Sequence, residues 1–273
     1  MTRRVIVHPR QPSCAQAAST TVGTKASSNL SDTTPLPVDI KCVLLARQRR
    51  YAPQMKSTSP HTRPRSGRND PSGAPAFLWS LVGVMSAIEI VVSLSEIGLF
   101  GSSNWRWFTV AIGAFWQPLL SGEVAPMYPG QQFLMFITYA FLHGGIGHLA
   151  LNCVVLLSLG KLATTRVGAG RTLLVLFLSA VGGSLAFGLI SPSNIPMIGA
   201  SGAAFGLIGL WQAWEYGILK QSGQSLKPVI SAIIALVAAN FVFFYMMNGG
   251  LAWETHLGGW LVGWLSGRSF ARI

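Results

Sequence analysis

The stretch Ile198-Gly-Ala-Ser-Gly-Ala-Ala-Phe-Gly206 opens an apolar segment near residues 199–218, and it says more about the fold than any other part of the sequence. It places Ser201, which has a nucleophilic hydroxyl, among small residues at the start of a segment long enough to cross a membrane. Glycines beside a side chain leave room for another group to come close. The stretch therefore predicts a membrane helix whose first turn holds a serine that a second group approaches.

The composition of the chain is that of a membrane protein. Half of the 273 residues are hydrophobic, only 10% are charged, and the mean hydropathy is +0.46, whereas about 25% of residues are charged in soluble domains. Most of the net charge of +12 lies in residues 1–75, which carry twelve Lys and Arg against three Asp. No aromatic-rich basic surface accompanies this charge, so we expect no nucleic-acid partner. A basic segment beside a membrane contacts anionic lipid or marks the cytoplasmic side.

The chain divides into two regions of different composition. Residues 1–75 are rich in Ser, Thr, Pro and Arg without apolar periodicity, which predicts a disordered, basic N-terminal cytoplasmic tail. The alternatives are an organellar transit peptide and a translation start at Met55. Residues 76–273 form the predicted membrane domain. The three cysteines of the chain show no metal-ligand spacing, so we predict neither a disulfide nor a metal site from them.

Apolar segments recur regularly after residue 75, each close to the ~20 residues that a bilayer core requires. The predicted fold class is an all-α membrane bundle of six transmembrane helices, near residues 77–97, 146–162, 172–190, 199–218, 229–247 and 254–270. The insert at 98–145 is interrupted by Pro and Gly and contains many aromatic residues, so we expect a first loop that dips into the membrane. A seventh span at 105–120 is the alternative, and Gln117 and Pro118 argue against it.

Basic residues predict the orientation of the bundle. With six spans and the tail inside, the outer loops hold Arg106, whereas seven basic residues fall in inner loops or at the C-terminal end. These seven are Lys161, Arg166, Arg171, Lys220, Lys227, Arg268 and Arg272. Both termini are therefore expected in the cytoplasm.

Three polar residues share one depth in this topology. The second, fourth and sixth spans begin on the outer side, and His148, Ser201 and His256 each lie in the first turn of one of them. Ionisable groups inside spans are costly and usually face a cavity or the bundle interior. The shared depth predicts one polar site below the outer surface.

Glycine stripes predict that the fourth and sixth spans pack closely. They consist of Gly202, Gly206, Gly209 on one span and Gly259, Gly263, Gly267 on the other. We therefore predict a dyad in which Ser201 is the nucleophile and His256 the general base. Glu254 points to another side, so the dyad has no carboxylate. The alternatives are a serine that serves helix packing and a histidine satisfied by a backbone carbonyl.

His148 and Asn152 lie four residues apart, hence on one helical face. Both can donate hydrogen bonds, and with the Ser201 backbone N–H they could stabilise an oxyanion. The alternative is hydrogen bonding between helices. His143 lies off that face, before a Gly-Gly break, and is expected to be structural. The histidines lack the accompanying Cys or carboxylate of a metal site, so no metal is predicted. Glu89, inside the first span, is expected to hydrogen-bond within the bundle or the insert.

With these motifs in order, the chain resembles the rhomboid intramembrane serine proteases over about residues 76–270. The matching residues are His143, His148 and Asn152, the run Gly199-Ala-Ser-Gly202, Phe205, and the run His256-Leu-Gly-Gly259. The resemblance implies a six-helix bundle with an outward-opening cavity, the roles given above for the four polar residues, and Phe205 packed on the His256 ring. Two features depart from the family: Leu134-Met135 stands where many members have Trp-Arg, and Thr255 replaces a common alanine.

The function this implies is an intramembrane serine endopeptidase that cleaves transmembrane segments of membrane proteins through an acyl-enzyme and needs no cofactor. The alternatives are a non-catalytic rhomboid-like membrane chaperone or substrate-binding pseudoprotease and, with less support, a polar-cored transporter. The expected partners are transmembrane protein substrates and the lipid bilayer. We expect a multi-pass protein of the bacterial plasma membrane, since no further span flanks the six, with an organellar inner membrane as the alternative.

Overall fold

The computed structural model describes residues 73–191 and 194–270, which lie in one compact unit spanning residues 69–273. The predicted tail at 1–75, apart from its last three residues, lies outside the described residues, as does Met55. The division of the chain at residue 75 therefore remains a prediction.

The regular structure of the described residues is helical, apart from one isolated antiparallel bridge between Phe115 and Met197. In chain order the helices are α1 Ala76–Glu96, α2 Trp105–Gly113, α3 Gln117–Ser121, α4 Gln131–Thr138, α5 Ile146–Val167, α6 Ala169–Ile190, α7 Ser201–Gln221, α8 Lys227–Met246 and α9 Trp253–Phe270, with a short 3-10 turn at Tyr139–Phe141 after α4. The predicted all-α class is confirmed for this part of the chain.

Four of these helices are long and apolar enough to cross a membrane: α1, α5, α6 and α8. The predicted spans at 199–218 and 254–270 are also long helices, α7 and α9, but their composition is more polar. Helix α7 contains Gln212 and Glu215, and α9 contains Glu254 and His256 beside many glycines. Of these four polar side chains, all but Glu215 are buried, so much of this polarity faces the interior of the bundle. Apolar content alone thus supports four membrane spans.

The first loop is built from short helices, and the alternative of a seventh span at 105–120 is wrong. Helix α2 has nine residues, which corresponds to about 14 Å and is far short of the ~30 Å bilayer core. The backbone is extended at Ala114 and again at Trp116. Pro118 then lies in the first turn of α3, a position where its missing N–H costs nothing. The Phe115–Met197 bridge fastens this loop to the segment before α7.

Helices α7 and α9 pack backbone against backbone at the centre of the bundle, as the glycine stripes predict. A side-chain carbon at Gly259 would overlap the carbonyl oxygen of Gly202, and one at Gly263 would overlap that of Gly206. Helix α6 also packs closely against α9, because a Cβ at Gly183 would lie 2.9 Å from the backbone carbonyl oxygen of Thr255. Close approach of this kind depends on small residues. It brings the first turns of α7 and α9 together.

Helix α8 is the loosest of the long helices. Val229 is its one fully buried residue among those described, and most of its apolar side chains are exposed on the protein surface. A mean hydropathy of 2.3 on such an exposed helix is what a lipid environment requires. Helix α8 therefore lies at the periphery of the bundle, facing the membrane.

Candidate active site

Ser201 is the first residue of α7, and its position is set by the turn before it. Gly199 has a φ of +124°, a conformation that side chains other than glycine's rarely allow. The Gly199 N–H donates to the Tyr139 carbonyl at 2.9 Å, which fixes the turn against the end of the first loop. Ser201 itself is half-buried. A helix N-terminus also leaves its first backbone N–H groups without intrahelical partners, so the Ser201 N–H is available to a ligand.

His256 lies in the first turn of α9 and is 8% exposed. Its ring stacks on that of Phe205, with 3.9 Å between centroids and 6° between planes, as the resemblance implies. Phe205 follows Ser201 by one helical turn, so the stacking holds the imidazole beside the serine end of α7. The hydrogen bonds among the described residues do not include a direct one between Ser201 and His256. Glycine packing and ring stacking bring the two residues together.

His148 lies against the turn that carries Ser201. A Cβ at Gly199 would be 2.7 Å from His148 Cε1 and 2.8 Å from its Nε2, so the ring touches the backbone two residues before the serine. Asn152 lies one turn further along α5 and is buried. Its Nδ2 donates to the His148 carbonyl at 2.9 Å, which uses one of its two amide hydrogens within the helix. The second hydrogen remains for another acceptor.

His143 is buried beside this cluster. Its ring meets that of His148 edge to face, with centroids 5.2 Å apart, and neither ring nitrogen has a hydrogen-bond partner in the described part of the protein. Burial lowers the pKa of His143 to about 4, and the neighbouring His148 adds to this effect, so the ring is neutral at neutral pH. The His143 carbonyl accepts a hydrogen bond from Arg106 at 2.8 Å. The structural role of His143 remains a prediction.

Arg106 ties the first loop to α1 through two carboxylates. Its guanidinium contacts Glu89 through two bonds of 2.9 and 3.2 Å, and Glu96 through two of 2.6 and 2.8 Å. Hydrogen bonds to Glu96 and then Glu89 raise the pKa of Arg106 further above its usual range. The expectation that Glu89 hydrogen-bonds within the bundle or insert is confirmed. Sequence analysis did not predict Arg106 as its partner, although a lone acid in a span and a lone base in the outer loops suggest a pair.

Asn240 is a contact of the site that sequence analysis missed entirely. Its Oδ1 lies 2.5 Å from Nδ1 of His256. The available signal was a single amide between Ser231 and Tyr245 in an otherwise apolar stretch of α8. A polar group inside a membrane span usually has a partner in the bundle.

The arrangement combines groups suited to acyl transfer. A serine hydroxyl stands at a helix N-terminus, a buried imidazole is held one turn away, and further donors lie on the neighbouring α5. A free hydroxyl with a nearby base and preorganised donors is the set that nucleophilic catalysis on a carbonyl uses.

Comparison with known proteins places this chain in a family. The family model described as Rhomboid domain matches residues 130–273, more than half of the chain. Rhomboid-like protease 3 of Toxoplasma gondii is 35% identical over 147 residues, which cover 53% of this chain and 54% of that protein. Rhomboid protease GluP of Bacillus subtilis (strain 168) is 29% identical over 196 residues, or 71% of this chain and 35% of that protein.

A third relative has a comparable sequence identity over a shorter part of the chain. Rhomboid-type serine protease 2 of Emericella nidulans is 28% identical over 132 residues, 48% of this chain and 26% of that protein. The chain thus spans about half the length of the first of these relatives and less of the other two. The match covers the end of the first loop and all of α5 to α9. It therefore includes Ser201 on α7 and His256 on α9. This chain, with its apolar membrane helices, belongs to the rhomboid family.

Proposed function

We propose that this protein is an intramembrane serine endopeptidase that uses Ser201 as nucleophile and His256 as general base. The observation that carries the proposal is the His256 ring stacked on Phe205, one turn after Ser201 on a helix that the glycine contacts press against α9. Relatives named as rhomboid proteases support the same reaction class. We further propose a six-span bundle with both termini in the cytoplasm, because basic residues divide that way between the loops.

The reaction begins with attack of Ser201 Oγ on the carbonyl carbon of the scissile peptide bond, while His256 Nε2 takes the hydroxyl proton. The tetrahedral intermediate collapses as the imidazolium returns that proton to the leaving amine, which leaves an acyl-enzyme ester on Ser201. Water then attacks the ester with His256 again as base. The carboxyl product departs and the serine hydroxyl is restored.

The negative oxygen of the tetrahedral intermediate needs hydrogen-bond donors. We assign this role to the Ser201 backbone N–H, the His148 imidazole and the Asn152 amide. Support comes from the contact of the His148 ring with Gly199 and from the second amide hydrogen of Asn152, which has no acceptor among the described residues. His143 is assigned no chemical role.

The substrate class is the transmembrane segment of another membrane protein, cut near the outer surface. A helical backbone is protected by its own hydrogen bonds, so cleavage requires local unwinding. Small or helix-breaking residues at the cut site lower that cost, because glycine and proline destabilise helices by about 1 and 3 kcal/mol relative to alanine. The loosely packed α8 is consistent with a site that a helix approaches from the lipid.

The decisive experiment combines active-site labelling with cleavage. The purified protein in detergent is treated with a fluorophosphonate probe and, separately, reconstituted with a transmembrane substrate. The wild type and Ser222→Ala, a serine substitution at the opposite end of α7, should both label and cleave. Ser201→Ala and His256→Ala should do neither, and the double variant should be no worse than either single one, since the two residues act as a unit.

Cleavage by purified Ser201→Ala would remove the serine-protease proposal. A wild-type protein that binds the substrate without labelling or cleaving it would instead favour the alternative of a non-catalytic rhomboid-like chaperone or pseudoprotease.

A further inference from the structure

His256 is held on two sides by residues from two different helices. Phe205 of α7 covers one face of the ring, and Asn240 of α8 meets its Nδ1 edge. The Asn240 contact is unusual for its helix, because α8 is mostly apolar and packs little against the bundle. A polar bond from a peripheral helix to this particular histidine calls for an explanation.

We infer that Asn240 is a positioning residue for the catalytic base: its Oδ1 accepts the His256 Nδ1–H and thereby holds the imidazole in the tautomer whose Nε2 lone pair faces Ser201. The inference rests on the proposed function for its catalytic consequence. The tautomer itself is a property of the resting protein and can be measured without turnover.

The orientation of the amide follows from its second contact. Asn240 Nδ2 donates to the Leu236 carbonyl at 2.9 Å, and a backbone carbonyl can only accept. The amide nitrogen is therefore directed along α8, which leaves Oδ1 as the atom that meets His256. An amide oxygen can only accept, so Nδ1 of the neutral imidazole must carry the proton. Nε2 is then the nitrogen free to take a proton from a hydroxyl.

The proposed Ser201–His256 dyad has no third residue that orients the histidine, and Asn240 supplies one. In serine hydrolases a third residue orients the histidine and selects its tautomer, and the residue need not be charged, since Cys-His-Asn variants use an amide. Glu254 is two residues from His256 and buried, yet the described hydrogen bonds do not join it to the ring. An uncharged orienting residue also avoids placing a carboxylate on a helix that faces lipid.

The competing explanation is that the bond only fastens α8 to the bundle. The two explanations differ in what they predict. A hydrogen bond that only holds α8 to the bundle contributes to stability, whichever ring nitrogen of His256 carries the proton. A positioning bond fixes the proton on Nδ1 and affects kcat more than KM.

The direct test is nitrogen NMR of the wild-type protein labelled with ¹⁵N-histidine in detergent. The chain has five histidines, and the His256 signals are assigned by their loss in His256→Gln. We expect protonated Nδ1 and unprotonated Nε2 at neutral pH, with loss of this preference in Asn240→Ala. A wild-type His256 that carries its proton on Nε2 would overturn the inference, whatever the variants do.

The kinetic test compares three substitutions on α8. Asn240→Ala should lower kcat about 10- to 100-fold with little change in KM, the scale on which partners that orient metal-ligating histidines affect activity. Asn240→Asp keeps an acceptor and should recover much of kcat, while its charge stabilises the imidazolium and moves the acidic limb of the kcat/KM profile to higher pH. Ser231→Ala also removes a polar group from α8, one bonded to its own helix, and should behave as wild type.

The outcomes separate this inference from the proposed function. If Ser201→Ala is inactive while Asn240→Ala matches Ser231→Ala in kcat and in pH profile, the positioning role fails and the protease proposal stands. If Ser201→Ala still cleaves, the protease proposal fails, and the NMR measurement still decides whether Asn240 sets the His256 tautomer.

Discussion

The His256 ring lies parallel to the Phe205 ring at 3.9 Å, so the candidate base on α9 rests on a side chain of the helix that carries the candidate nucleophile. Together with the glycine packing of α7 against α9, this contact sets where the imidazole lies relative to the serine. Stacking fixes the plane of the ring, and the Asn240 contact fixes its rotation within that plane.

Removal of this stacking should cost activity more than stability. An aromatic pair contributes about 0.5–1.5 kcal/mol beyond its buried area, so Phe205→Ala should lower kcat/KM by about tenfold as the ring loses its support. Phe205→Tyr preserves the stacking face and should stay near the wild-type rate. Phe177→Ala, at a lipid-exposed position of α6, is the matched control and should leave cleavage unchanged. Equal rates for Phe205→Ala and Phe177→Ala would show that stacking does not position the base.

A second prediction concerns the glycine contact between α7 and α9. Gly263→Ala places a methyl group on the Gly206 carbonyl, and overpacking of this kind typically costs about 1–3 kcal/mol, or more where backbone must shift. We expect a clearly lower midpoint of thermal unfolding in detergent. The matched control is Gly83→Ala in α1, where a Cβ meets nothing within 4 Å. That substitution should be neutral or stabilise the protein by up to about 1 kcal/mol, because alanine favours helix.

A higher unfolding midpoint for Gly263→Ala than for the wild type would contradict the close packing of α7 and α9. The same pair of variants can be assayed for cleavage. Since Gly263 lies two turns from His256, a moderate loss of activity should accompany the loss of stability.

The third prediction separates the two carboxylates that Arg106 contacts. Glu89 is 1% exposed, so Arg106→Met leaves a buried carboxylate unpaired, and breaking a buried pair typically costs about 3–5 kcal/mol. Glu96 is 41% exposed, and loss of an exposed pair costs about 0–1 kcal/mol, so Glu96→Gln should change the unfolding midpoint little. The double variant Glu89→Leu, Arg106→Met removes both charges of this pair and should recover much of the stability. If the double variant is no more stable than Arg106→Met, then Arg106 stabilises the protein chiefly through Glu96 and the His143 carbonyl.

The parts of the site that sequence could predict are those that repeat with helical spacing. Ser201 and His256 are predicted because each lies in the first turn of an apolar segment, and the glycine stripes indicate which helices touch. The resemblance to the rhomboid proteases, not spacing, implies the place of Phe205. Asn240 and Arg106 depend on contacts between distant segments. The residues around a single amide in an apolar helix do not indicate which residue it contacts. The path of the first loop, which brings Arg106 to Glu89, follows no periodic pattern.

The apolar content of the helices was also an incomplete guide. Helix α8 is strongly apolar and mostly exposed, whereas α7 and α9 bury polar residues and glycines against each other and are less apolar. The helices that build the candidate site are therefore the ones with the weakest membrane signal. Their spans are predicted because apolar runs of about 20 residues recur along the chain.

The last prediction tests the oxyanion role of Asn152. Its Nδ2 is already bonded once within α5, and it is one of three proposed donors, so Asn152→Ala should be slow rather than inactive. Loss of one such donor typically lowers the rate by about 10²–10³. Ser201 should still react with a fluorophosphonate in this variant, although more slowly, because the nucleophile and base are untouched. Thr164→Ala, which removes a hydroxyl bonded within α5 at the other end of the helix, is the control and should cleave as wild type.

A wild-type cleavage rate in Asn152→Ala would assign Asn152 to packing between helices instead. Asn152→Asp tests the donor role with a side chain of the same size. It replaces the donor amide with an acceptor, so it should cleave no faster than Asn152→Ala. Because Asn152 is buried and its amide donates to the His148 carbonyl, the carboxylate should also lower the midpoint of thermal unfolding. Because a carboxylate would repel the developing oxyanion, a rate for Asn152→Asp above that of Asn152→Ala would exclude hydrogen-bond donation as the role of this residue.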